Sequence, residues 1–338
     1  MLTENFNLFI IKMKVGESMI FEKKIIKIYE NMMLKRCDDN GNVFYFSAED
    51  FPGLERESYV FKSSKGHKLQ GYFYSYPDAK PDRLIVFEHG MGGGHLSYMR
   101  EIEKLCLAGY LVFTYDHTGC MESGGESTGG LAQSLCDLND LLNALKSDEK
   151  YKNYDVSVIG HSWGGFSTMN ISALHPDISH LVVISGFVSV EKMVNSFFSG
   201  ILKPYRKCIM KLEKESNPSF VNSDGVQVLK NTKAKVLLVY SDNDNLCKKE
   251  VHYDELESKL SDKQNITFIL ENGKGHNPNF TVDAVKYKDE FFATLTKKMK
   301  KKELESEREK ETFKKSYDWY RMTAQDEEVW QKIFKFLE

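Results

Sequence analysis

The sequence predicts an α/β fold, an eight-stranded and mostly parallel sheet flanked by helices, and three observations predict it. From residue 58 to residue 270, short β-rich runs alternate with longer helical patterns, as strands joined by crossover helices require. Six of the runs are nearly all apolar, the mark of strands covered on both faces. A hydrophobic content of 41% with only seven prolines in 338 residues supplies a large core and excludes disorder as the overall state.

The elements follow in order. Residues 1–55 form an N-terminal helical extension, a helix over about Ile20 to Leu34 and then a polar connection, to which no chemistry is assigned. Ser58 to Ser63 and Leu69 to Tyr76 alternate apolar with polar residues around the turn Ser64-Lys65-Gly66, which predicts an antiparallel hairpin at a sheet edge. The buried strands are Arg83 to Glu88, Tyr110 to Tyr115, Val156 to Gly160, Leu181 to Ser185, Val236 to Tyr240 and Ile266 to Leu270. Tyr98 to Leu107, Leu131 to Leu145 and Glu250 to Leu260 carry helical patterns between them.

The gap after the sixth strand is too long for a connection. Across 187–231, Val190, Met193, Val194, Phe197, Ile201 and Leu202 recur at helical spacing, which predicts a small helical cap, or else an extra core helix with a loop. Near the other end, within a charged helical insertion at about 279–316, five lysines in 297–302 are followed by five glutamates in 303–311. This segment reads as a solvated helix with i,i+4 pairs such as Glu311 and Lys315, and secondarily as a membrane-surface or acidic-partner contact. The last helix is expected to start at Thr323 as N-cap, with Asp326 three residues on and an apolar stripe of Val329, Trp330, Ile333, Phe334 and Leu337.

Composition excludes several classes of function. A balance of 46 basic against 49 acidic residues gives a formal charge of −3, so no global field draws the chain to nucleic acid. The six cysteines contain no CxxC and read as reduced thiols; the nine histidines are dispersed and HExxH is absent, so no metal is expected. The apolar stretch Leu8-Phe9-Ile10-Ile11 is interrupted by Lys12 and Lys14, too short for a signal sequence or an integral membrane segment, which makes cytoplasmic residence the default expectation. Oligomeric state stays open.

Chemistry enters after the fifth strand, where Gly160-His161-Ser162-Trp163-Gly164-Gly165 precedes a helix-compatible run. This is G-x-S-x-G between strand and helix: Gly160 and Gly164 let the chain reverse sharply, and the helix N-terminus aims N–H groups at an anion forming near the serine oxygen. A serine hydroxyl needs a base and an orienting carboxylate. His276 lies in the glycine-rich loop after the eighth strand and is the expected base; the rival, His252, is expected on an exposed helical face. Asp244, after the seventh strand, is preferred as the acid over Asp242, whose other reading is a turn residue bonding its own backbone. After the third strand comes His89-Gly90-Met91-Gly92-Gly93-Gly94, where the Met91 N–H joins that of Trp163 as an expected oxyanion donor, with His89 and Gly90 as loop support. Neither G-x-x-x-x-G-K-[ST] nor G-x-G-x-x-G occurs, so no nucleotide or other cofactor is called for.

Together these residues resemble the α/β-hydrolase superfamily over about residues 56–338, in particular its esterases, lysophospholipases and monoacylglycerol-lipase-like serine hydrolases. The resemblance implies hydrolysis of a small-molecule ester or acyl substrate by Ser162, His276 and Asp244 through an acyl-enzyme; a peptidase or thioesterase with the same triad is the alternative, a non-catalytic binding protein a weaker one. His161, Met193, Phe197 and Phe198 are candidate pocket walls, although the three cap residues read equally well as core packing. Of the D-x-x-G-x-G-x-S pattern often found after the fourth strand, Asp116, Gly119 and Ser123 match, but Met121 stands at the second glycine. The stretch between His276 and the final helix is also longer than the resemblance implies.

Overall fold

The computed structural model describes residues 18–79 and 83–338; the stretch Leu8 to Ile11 lies outside them. Among the described residues, eight strands form one sheet: β1 (Glu55–Lys62), β2 (Lys68–Ser75), β3 (Arg83–Glu88), β4 (Leu111–Tyr115), β5 (Asp155–His161), β6 (His180–Ile184), β7 (Lys235–Ser241) and β8 (Ile266–Glu271). Their order is β1-β2-β4-β3-β5-β6-β7-β8. The hairpin pairs antiparallel from Glu55↔Ser75 to Lys62↔Lys68 and joins β4 antiparallel; all other neighbours are parallel. The eight strands agree with the sequence reading to within three residues at each end.

Strand periodicity divides the core into two layers, because successive side chains point to opposite faces. Leu84 and Val86 of β3 face one layer with Val158, Leu181 and Val236; Ile85 and Phe87 face the other with Ile159, Val182 and Leu237. The first layer is closed by α1 (Ser18–Tyr29), which continues as a π-type turn (Glu30–Leu34), and by α3 (Gln133–Ser147) and α4 (Trp163–Asn170). The second is closed by α2 (Met99–Leu107) and the C-terminal helix.

After β6 the chain forms α5 (Val190–Phe197), a 3-10 segment (Gly200–Tyr205), α6 (Arg206–Ser216) and α7 (Gly225–Asn231). Of the apolar residues spaced along this segment, Met193, Val194 and Leu202 are buried in the first layer, whereas Ile201 is 75% exposed. The N-terminal helix lies on this region: Phe21 stacks on Tyr205 with ring centroids 6.4 Å apart, and the Tyr29 hydroxyl donates to the buried Glu213 carboxylate at 2.6 Å.

α8 (Tyr253–Leu260) precedes β8, and the charged segment differs from the single solvated helix expected. It is two helices, α9 (Val282–Lys300) and α10 (Glu307–Lys315), separated where Lys302 takes a φ of +58°. The lysines sit at the C-terminal end of α9 and glutamates at the N-terminus of α10, where Ser306 and Glu309 form a capping box. Each block therefore meets the helix-dipole end that favours its charge. Phe291 and Leu295 pack with Phe313 and Met322 in a separate small core, so the two helices are anchored rather than solvated all round. After α11 (Trp319–Met322) the last helix, α12 (Glu327–Leu337), begins one turn later than expected. Its cap is Asp326, which accepts from the N–H groups of Glu328 and Val329; the Thr323 hydroxyl instead donates back to the Trp319 carbonyl.

Candidate active site

Ser162 joins β5 to α4 with φ +57° and ψ −109°, a sparsely populated conformation costing of order 1–3 kcal/mol. Its N–H donates to the Ile184 carbonyl at 2.9 Å, and its own carbonyl accepts from the Phe166 N–H at 3.0 Å. The glycines around it are required by contact: a Cβ at Gly160 would lie 2.2 Å from the Gly164 carbonyl oxygen, and one at Gly164 2.2 Å from that of Glu88. The serine thus stands on a turn that the neighbouring strand holds in place.

Asp244 and His276 meet past the ends of β7 and β8, with His276 Nδ1 2.8 Å from Asp244 Oδ2. The other carboxylate oxygen accepts from the Leu246 and Cys247 N–H groups at 2.8 and 3.0 Å. Burial opposes ionisation of Asp244, but the His276 ring and the two backbone donors outweigh it and hold the carboxyl below its ordinary value. With Nδ1 engaged, Nε2 is the ring nitrogen left for another partner.

The His276 loop is gripped by three consecutive residues of the neighbouring strand end. Asp242 accepts from the Gly273 N–H (2.8 Å), Ser241 from that of Lys274 (3.0 Å) and Asn243 from that of Gly275 (2.8 Å). Asp242 is therefore no self-contained turn; it ties the loop of Asp244 to the loop of His276. His252 also departs from expectation. It is fully buried, with the Val188 N–H pointing at Nδ1 from 3.3 Å, and burial lowers its pKa to about 3. Packing against the post-β6 segment overrides the polar sequence around it.

A second set of contacts ties the glycine-rich loop to the elbow. The Gly90 N–H donates to the Tyr98 hydroxyl oxygen at 2.9 Å, Tyr98 Oη lies 2.8 Å from His161 Nδ1, and His161 Nε2 lies 2.7 Å from the His276 carbonyl oxygen. Burial and the neighbouring His276 push His161 down to about 3, so the ring is neutral at ordinary pH. Only one tautomer then suits both contacts: Nε2–H donates to the carbonyl and Nδ1 accepts from Tyr98. His161, expected as a pocket wall, is a buried link between three loops. A Cβ at Gly90 would approach the Tyr98 hydroxyl to 2.6 Å and Ser162 Cβ to 3.3 Å, which puts the Met91 segment beside the serine.

His89 extends the same support inward. Its Nδ1 lies 2.8 Å from the Gly90 carbonyl oxygen and its Nε2 accepts from the His117 N–H at 3.0 Å. Behind it, His117 lies between Glu88 (3.5 Å) and Asp137 (3.4 Å), all three buried. Burial works against a charged His117, yet the two carboxylates raise its pKa overall. Burial raises Glu88 to about 7. The Trp163 indole donates to the Leu131 carbonyl at 2.8 Å and fixes the residue after the serine. Sequence reasoning missed this network; its one signal was His117 inside Asp116-His117-Thr118-Gly119.

Of the candidate pocket residues, Met193 and Phe198 are buried within the first core layer, and Phe197 is partly buried against it. Among the described residues, one triplet has converging metal-ligating atoms: Asp244, Cys247 and His276, within 4.8 Å of one another. Two of these atoms are spent on each other, and burial together with the Asp244 charge pushes the Cys247 thiol up, so the donor set suits a hydrogen-bonded pair rather than a cation.

Comparison with known proteins places these features in context. Residues 79–231 match the family model described as serine aminopeptidase, S33. An uncharacterised protein of Bacillus subtilis strain 168 is 26% identical over 143 residues, 42% of this chain and 45% of that protein. The monoglyceride lipase of Rattus norvegicus is 30% identical over 117 residues, 34% of this chain and 38% of the lipase. The chain thus spans less than half the length of these curated relatives. Among solved structures, an esterase of Pyrococcus furiosus superposes with a TM-score of 0.59 at 20% identity, over 78% of this chain and 98% of the esterase. The acetyl xylan esterase from Paenibacillus sp. R4 gives 0.53 at 16% identity, over 76% and 88%. Among the described residues, no helix is long and apolar enough to cross a membrane.

Proposed function

We propose that the chain, which shares the fold of a Pyrococcus furiosus esterase and matches the serine aminopeptidase, S33 family model over residues 79–231, is an α/β-hydrolase that cleaves a carboxylic ester by a serine nucleophile through an acyl-enzyme. Two observations carry this reading together: a serine on a positive-φ elbow, and His276 held 2.8 Å from a buried carboxylate. Ser162 Oγ attacks the ester carbonyl while His276 Nε2 takes its proton and passes it to the leaving alcohol. Asp244 keeps the proton on Nδ1 and stabilises the imidazolium. Water, activated by the same histidine, releases the acid. The Met91 and Trp163 N–H groups receive the oxyanion, a contribution of ~3 kcal/mol for each donor. The helices between 187 and 231 act as the cap over the acyl group, with Phe197 at its partly buried edge.

A p-nitrophenyl ester series of increasing acyl length tests this directly. Wild type turns over, while Ser162→Ala loses kcat by about 10⁴-fold or more and no longer reacts with a fluorophosphonate. Turnover persisting in the alanine variant removes the serine from the mechanism. The match to a model described as an aminopeptidase favours a second reading, amide cleavage. Release of p-nitroaniline from aminoacyl anilides, with esters untouched, would select it.

A further inference from the structure

The segment after α1 runs as an extra rung beside the loop that follows β4. Cys37 pairs in register with Cys120 in a parallel bridge: the Cys37 N–H donates to the Gly119 carbonyl at 2.8 Å, and the Met121 N–H to the Cys37 carbonyl at 2.9 Å. Register partners in a sheet project to the same side, and neighbouring strands lie about 4.8 Å apart. That falls inside the ~4.4–6.8 Å between Cα atoms that a disulfide spans. The Cys120 side chain and the Gly92 backbone are neighbours that lower the Cys37 thiol, as expected for cysteines side by side in register. Cys37 is partly exposed and Cys120 buried.

The surroundings clamp both partners. The Arg36 guanidinium donates to the Ser123 and Gly125 carbonyls at 2.8 Å each and also to that of Met121, while its Nε pairs with Asp38 at 2.7 Å. The clamp holds Met121 at φ +40°, in the left-handed region that the second glycine of the D-x-x-G-x-G-x-S pattern would enter freely. A cysteine pair in a braced bridge approaches a disulfide with little backbone movement.

We propose that Cys37 and Cys120 form a reversible redox site, closing to a disulfide on reaction with a hydroperoxide and reopening with a dithiol. The Cys37 thiolate attacks the peroxide oxygen, giving a sulfenic acid and releasing an alcohol or water. Cys120 then attacks the Cys37 sulfur, losing its proton as the hydroxyl leaves as water. The two sulfurs lose two electrons and the peroxide gains them. Two features fit the order of attack: the Cys37 thiol is lowered to about 7 by its hydrogen bonds, and Cys120 is raised well above the ordinary range.

The test uses the full chain and needs no turnover measurement. One equivalent of hydrogen peroxide should remove two of the six free thiols, non-reducing peptide mapping should find Cys37 joined to Cys120, and dithiothreitol should restore six. The Tm of the oxidised protein should rise by about 5 °C, because the bond closes a long loop. Cys120→Ser should stop at a Cys37 sulfenic acid trapped by dimedone. Cys37→Ser, at the partly exposed position, should keep the fold and lose no thiol pair. Oxidation that joins other cysteines, or that consumes Cys208 as fast as Cys37, overturns the proposal.

Discussion

Tyr98 offers a single hydroxyl to two loops, accepting from Gly90 and donating to the ring that holds His276 by its carbonyl. Tyr98→Phe keeps the ring and strands a donor and an acceptor, each costing about 1–3 kcal/mol when unsatisfied and buried. Acting by position only, it should lower kcat on p-nitrophenyl esters by about 10-fold and leave KM within about twofold. An unchanged kcat with a lowered Tm would reduce Tyr98 to a packing residue. The strand-to-helix turn at Ser162 and the meeting of Asp244 with His276 were legible in the sequence because each follows an apolar strand run, and parallel strands deliver their carboxyl ends to one edge. Tyr98 was not. Its partners lie 8 and 63 residues away, and nothing in its own helix pattern distinguishes it from a core aromatic. His252 misled for the opposite reason: its polar neighbours describe the helix surface, while its own side chain turns inward.

At the scale of elements, strands were read more closely than helix ends. A short apolar run bounded by polar or turn residues marks a strand and both of its ends, whereas a helix boundary depends on which of several capping residues the tertiary contacts select. Thr323 and Asp326 both have N-cap chemistry, but only Asp326 is also held by Lys274, at 2.8 Å, and Lys274 is buried with a second contact to Glu271. Asp326→Ala should therefore cost about 2 kcal/mol in urea unfolding, the sum of a cap and part of an ion pair. Asp326→Asn keeps the cap and should cost about half as much. Equal losses would assign the whole effect to the ion pair. The division of the charged segment into α9 and α10 was hidden because lysine and glutamate are both good helix formers; the break is set by the apolar seam of Phe291 and Phe313, stacked 5.3 Å apart.

Across the whole molecule, the least legible feature was how the N-terminal extension joins the rest. A helix was visible at Ile20 to Leu34, but its docking depends on Glu213, a carboxylate in the post-β6 segment that accepts from Tyr29 and from the Leu131 N–H at 2.8 Å. Burial raises Glu213 from 4.5 to about 7. A carboxyl raised in the folded state binds its proton more tightly there than when unfolded. Its stabilisation is thus complete below about pH 4.5 and is lost as pH rises to about 7, a change of about 3 kcal/mol. Glu213→Gln carries no ionisable group and should melt at the higher temperature above pH 7.5, with the gap closing by pH 5. A gap that is the same at both pH values would mean that Glu213 is already ionised at low pH.

The Tyr29 to Glu213 contact also sets an order of events during synthesis. The two residues are 184 positions apart, so at ribosomal rates of about 5–20 residues per second α1 waits roughly 10–40 s for its partner to be made. Through that interval its apolar face, with Ile25 and Tyr29 later buried to 1% exposure, has no native surface to cover it. The helix made early docks only once residue 213 has been made, and until then the nascent chain carries an open hydrophobic stripe that a chaperone has time to hold.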